Sequence, residues 1–186
     1  MSRTRLGRRL ALIAAVALLA FGAVGCGRME SQAAPTCVPK GADTLALVAQ
    51  SVPTAAKVPC IANYPAGWHF ASLSVRNGRT QFTLDSDRAG ISAVKVTLEP
   101  RCQTDGATEI PSDEPDTRRF ERIISVVQGF QAIRSYSFDG GCITYRFDFD
   151  RLGRALVNEV SVAIDFMDRT AVDELVRQRS GGQLHL

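Results

Sequence analysis

Two histidines, five cysteines and a few clusters of charge carry whatever chemistry this chain performs. Nucleophilic catalysis needs an activated Ser, Cys or Thr beside a base. His69 is the candidate base, because His185 lies among the closing residues, where chains fray. No Gly-x-Ser-x-Gly elbow occurs, and no catalytic residue is assigned. His69 belongs to an aromatic run, Tyr64, Trp68, His69 and Phe70, whose ring faces suit a sugar or a lipid group. The competing expectation is that Trp68 and Phe70 close the core at the first long strand and leave His69 on a wet face.

Two charged segments invite ligands. Asp85-Ser86-Asp87-Arg88-Ala89-Gly90 begins like a calcium loop, but the fifth and twelfth positions, Ala89 and Val96, supply no side-chain oxygen. An inter-strand turn is expected there instead. The acidic run Ser112-Asp113-Glu114-Pro115-Asp116 precedes Arg118, Arg119 and Arg122. On a strand, Arg118 and Arg122 share a face with Phe120 and could contact an anion in fork geometry, while Arg119 points away. No Cys-x-x-Cys occurs, so no metal and no cofactor is expected.

The chain has 186 residues, enough for one domain with its core, with 45% apolar and 22% charged residues. Its formal charge of +3 is unevenly spread. Four of the 22 basic residues, Arg3, Arg5, Arg8 and Arg9, lie in the first nine positions; the other 18 face 19 carboxylates. A nearly neutral body argues against nucleic acid as a partner, since that needs a clustered positive surface.

After the basic start, residues 10–24 form an unbroken run of apolar and small residues ending in Ala23-Val24-Gly25-Cys26. As a helix this run spans about 22 Å, short of a bilayer's hydrocarbon core of about 30 Å, and it reads as the core of an export signal. The segment resembles the leader of bacterial lipoprotein precursors, whose lipobox closes on a small residue and a cysteine. Gly25 and Cys26 match it, Val24 is a tolerated variant, and Ala23 stands where the family favours Leu. The resemblance covers the leader alone. It implies a diacylglyceryl group on the Cys26 thiol, cleavage before Cys26 and frequent acylation of the new amine. Residues 1–25 are then a signal peptide, 26–36 the lipidated cysteine and a tether, and 37–186 a single extracytoplasmic domain. The location implied is the cell membrane, lipid-anchored on its extracytoplasmic face.

With Cys26 given to lipid, four cysteines remain: Cys37, Cys60, Cys102 and Cys142. An oxidising compartment favours disulfides, and four cysteines allow three pairings. Pairing neighbours in sequence, Cys37 with Cys60 and Cys102 with Cys142, is the simplest of them.

These residues need elements to hold them. Period-two alternation marks strands on both sides of Asn77-Gly78, a strong hairpin signal, and again over 91–98, 120–127, 130–138 and 142–149. Residues 99–117 read as a long loop. The alternation of Val160, Val162, Ile164 and Phe166 predicts a last strand. A short helix over 43–51, capped by Asp43, and a closing helix over 170–179, capped by Thr170, complete the set. The sum is α+β: an antiparallel sheet of six or seven strands with a short N-terminal helix and a C-terminal helix, with a β-sandwich as the alternative. The function expected is a non-enzymatic accessory or binding module of the envelope. Its partner would be an envelope membrane protein or a cell-wall polymer. The alternative is a surface-anchored hydrolase or transferase acting on envelope sugars or lipids.

Overall fold

In a computed structural model of the protein, residues 29–31, 33–150 and 153–186 are described. The expected leader, residues 1–25, and Cys26 lie outside them. Among the described residues no helix is long and apolar enough to cross a membrane.

The expected α+β architecture is present. Eight antiparallel strands form the main sheet: β1 (Met29–Ser31), β3 (Trp68–Arg76), β4 (Arg79–Ser86), β5 (Gly90–Glu99), β6 (Thr108–Ile110), β7 (Arg118–Ser125), β8 (Phe130–Phe138) and β9 (Gly141–Phe149). Their spatial order is β1-β3-β4-β5-β9-β8-β7-β6, two meanders joined where β5 meets β9. β1 and β6, three residues each, form the two edges. The β3–β4 hairpin turns at Asn77-Gly78, where Gly78 takes φ 76°, a value that costs glycine little.

A second layer covers one face of this sheet. It consists of a two-stranded ribbon, β2 (Lys57–Ile61) with β10 (Ile164–Asp168), and three helices, α1 (Ala42–Ser51), α2 (Arg154–Ser161) and α3 (Arg169–Arg179). Alternate side chains of the long strands meet it. Leu73, Phe82, Leu84, Val96, Leu98, Ile143, Tyr145, Phe147 and Phe149 are buried on that side, against Leu45, Val48, Val58, Val160 and Val172 of the second layer. Each such side chain contributes about 1.5–3 kcal/mol by leaving water. Tyr136, Tyr145 and Phe166 stack edge to face across the layers, with centroids 5.0–6.1 Å apart.

Several boundaries differ from the sequence expectation. Residues 29–31 pair with β3, and Thr36 bridges Ile61, where a plain tether was expected over 26–36. Gly41, not Asp43, stands at the N-cap of α1, and Asp168, not Thr170, at that of α3. The predicted strand over 160–166 divides. Val157 and Val160, three apart on α2, point into the core, Val162 is exposed, and only from Ile164 does the chain run as β10. β2 went unpredicted because all five of its residues are buried, which erases alternation, and because it contains Pro59.

Both disulfides join sequence neighbours: Cys37 to Cys60 and Cys102 to Cys142, with Cα atoms 5.1 Å apart in each. The first ties the segment before α1 to β2. The second pins the long connection after β5 to the first turn of β9.

Candidate functional site

The sheet's other face looks outward, and most of its side chains are polar. Register places them in rows that cross the strands. One row runs Ser72, Thr83, Lys95, Arg146, Ile133, Arg122. The next runs Ser74, Gln81, Thr97, Thr144, Ser135, Phe120. Although they face away from the core, Thr83, Thr97 and Ser135 are buried, at 4%, 7% and 2% exposure. Thr97, with Thr144 opposite it, forms part of the floor of a concavity of about 350 Å³.

Its wall is the connection after Cys102. Gln103 and Asp105 overhang the sheet, and Arg122 Nη1 donates to the Asp105 carbonyl at 3.0 Å. The loop therefore depends on the Cys102–Cys142 bond at its start and on Arg122 further along. Arg79, Lys95, Arg122 and Arg146 contribute four cations to the lining, against two carboxylates, Glu99 and Asp105. Glu99 already accepts from Arg79 at 2.5 Å. A second hollow, of about 280 Å³, continues the groove past Arg79 to Arg76.

The sequence-derived candidates divide differently. Trp68 offers no platform: it is 2% exposed, stacks on Phe149 at 6.2 Å and donates Nε1–H to Glu159 at 2.7 Å. Phe70 faces the core side as well, packed against the buried cluster. Tyr64 is exposed on the loop before β3, and burial of part of its ring raises its phenol above the ordinary value. His69 lies on the wet face, its Nε2 3.4 Å from Asp87 Oδ1, with both side chains mostly in solvent. The aromatic run is thus split between core and surface.

Arg118 and Arg122 do share the outer face, but they are not brought together on a ligand. Arg118 forks onto Glu109 at 2.9 and 2.7 Å and lies 5.2 Å over Phe120. Arg122 holds the loop. Of the pair, only Arg122 lines the groove. Lys95 and Arg146, which the sequence did not single out, occupy its middle. Ser92 and Lys95 also have the Ser-x-x-Lys spacing of some acyl-transfer nucleophiles. On β5 that spacing does not bring two side chains together as a helix would, and no hydrogen bond joins them.

No family model, curated protein or solved structure matches the chain.

A second polar cluster lies where the core face meets β7. Glu121 accepts from Arg119 at 2.6 Å and from Arg134 at 2.5 Å; Asp113 accepts from Arg119 and from the Tyr136 hydroxyl, each at 3.0 Å. Arg134 also donates to Ser161 at 2.8 Å. Burial raises the Glu121 carboxyl, but the hydrogen bonds and charges of Arg119 and Arg134 outweigh it and hold the group below its ordinary value. Every buried polar side-chain atom among the described residues has a partner, so this network stitches β7 and β8 to α2. At the far end of the same hairpin, Ile123, Ile124, Val126 and Val127 are exposed.

Proposed function

We propose that this protein is a lipid-anchored extracytoplasmic binding module whose outward sheet face receives an envelope ligand. The carrying observation is the groove over β4, β5, β9 and β8: mostly polar, floored by Thr97 and Thr144 and walled by a disulfide-pinned loop. Ligand sites combine concavity with a few fixed polar groups, and a wall held covalently keeps them in place without a bound partner. The basic start, the apolar run and Gly25-Cys26 support the anchor.

Two residues, Gly27 and Arg28, separate Cys26 from Met29 of β1, a reach of at most about 10 Å. Met29 pairs with Val75, beside the Asn77-Gly78 hairpin. The anchor thus draws that end of the sheet toward the bilayer and leaves the groove open to the side.

Two measurements test the reading. Labelled palmitate should enter the wild type and not Cys26→Ser; label kept by the variant removes the anchor. A photo-crosslinker at Gln81, inside the groove, should give in-cell adducts that one at Asp173 on α3 does not. Equal adducts, or none from Gln81, remove the binding face.

A further inference from the structure

Lys95 and Arg146 stand directly opposite each other on neighbouring strands, β5 and β9. Directly opposed residues place their Cβ atoms about 5 Å apart, and like charges there repel. Among the described residues, neither side chain has a hydrogen bond or an ion pair. Of the carboxylates nearby, Glu99 pairs with Arg79 and Glu109 with Arg118, Asp148 accepts from Gln131 at 2.9 Å and Asp85 from the Ser92 amide at 2.7 Å, and Asp105 of the groove wall makes no ion pair with either cation. A fold has no stability reason to set two unneutralised cations side by side in the middle of a groove. A negatively charged ligand supplies one.

The surroundings narrow its chemistry. Beside the cation pair, on the adjoining row, lie the Thr97 and Thr144 hydroxyls and Gln81, with Gln103 overhanging. These groups donate and accept polar contacts, and Ile133, between Arg146 and Arg122, is the one apolar side chain of the lining. A lipid tail or an apolar helix finds no bed here; a chain rich in hydroxyls does. Neighbouring strands are about 4.8 Å apart, so Lys95, Arg146 and, two strands on, Arg122 form a line of cations about 14 Å long across the sheet. A polymer lying across the strands meets them in turn.

Resting on the binding-module reading, we infer that the groove binds an acidic glycan, with its carboxylate or phosphodiester groups between Lys95 and Arg146 and its hydroxyls on the Thr97–Thr144 row. Arg146 offers a planar fork to the anion, and Lys95 a mobile point charge.

The test uses the full chain, expressed with its leader and purified in detergent, with binding followed by calorimetry. The probes are oligogalacturonate for carboxylates, poly(glycerol phosphate) for phosphodiesters, and neutral dextran. One acidic probe should bind, and which one identifies the anion. Its affinity should fall steeply as ionic strength rises about tenfold. Lys95→Gln and Arg146→Gln should each weaken it about tenfold and together more, while Arg118→Gln leaves it unchanged. Because the free cations repel, the double variant should melt no lower than wild type, so lost binding is not lost folding.

Salt-independent binding, or equal binding by the double variant, overturns the inference, and the salt arm needs no variant. Dextran binding as tight as either acidic probe overturns the charge assignment and leaves the binding face standing. Gln81 adducts in cells without any acidic-probe binding do the same. Absence of both removes the two readings together.

Discussion

Trp68 Nε1 donates to Glu159 Oε1 at 2.7 Å, and the guanidinium of Arg88 lies on that same oxygen. One carboxylate thus joins the start of β3, the β4–β5 turn and α2. Burial raises the Glu159 carboxyl, but the hydrogen bonds from Arg88 and Trp68 and the Arg88 charge prevail and hold it below its ordinary value. Trp68→Phe keeps a smaller aromatic ring and removes the donor, at a cost of about 1–3 kcal/mol; Trp68→Ala opens a larger cavity and should cost about 3–5 kcal/mol. Chemical denaturation of both variants checks the ordering, and a Phe variant as unstable as the Ala variant would contradict it.

The disulfide pair separates stability from shape. The Cys37–Cys60 bond closes 23 residues and the Cys102–Cys142 bond 40, so in the chain-entropy view each contributes about 3–4 kcal/mol. Paired Cys→Ser changes at either site should lower the denaturation midpoint to a similar degree. Only loss of Cys102–Cys142 should also loosen the groove wall. Hydrogen exchange should then speed up at Gln103 and Asp105, and probe binding should weaken. Equal loosening of that loop by the other pair of changes would refute this.

Acid should weaken the Arg119–Glu121–Arg134 network. Glu121 titrates lower folded than unfolded, so the unfolded chain holds the proton more tightly. Its stabilisation is complete above the unfolded value, near pH 4.3, and is lost as pH falls through the lower folded value. Glu114 runs the other way: burial first, then the charges of Asp165 and Asp113, raise it. Its ionisation costs stability as pH rises past the unfolded value, and protonation restores it. Glu121→Gln should therefore destabilise at pH 7, by about 1–3 kcal/mol, and flatten the acid limb of the stability curve. Glu114→Gln should stabilise at pH 7 and steepen that limb. Urea midpoints between pH 2 and 7 decide both signs.

The residue sequence alone determined the strands that alternate, because a half-buried sheet writes its two faces into every second position: Phe82, Leu84, Val94 and Val96 on one side, Gln81, Thr83, Lys95 and Thr97 on the other. The Asn77-Gly78 hairpin and the two closing helical turns of charge came with it, as local chemistry does. Where burial was total, as in β2, or where a helix met a strand within a few residues, as at Val160 to Ile164, the period vanished and the elements were missed or merged. Which aromatic residue is core and which is surface was a question of packing: Trp68 and His69 are adjacent, yet one is enclosed and the other wet. The opposed cations could not be read from the chain at all. Lys95 and Arg146 are 51 positions apart, and only the register of β5 on β9, fixed by the buried residues behind them, sets one charge against the other.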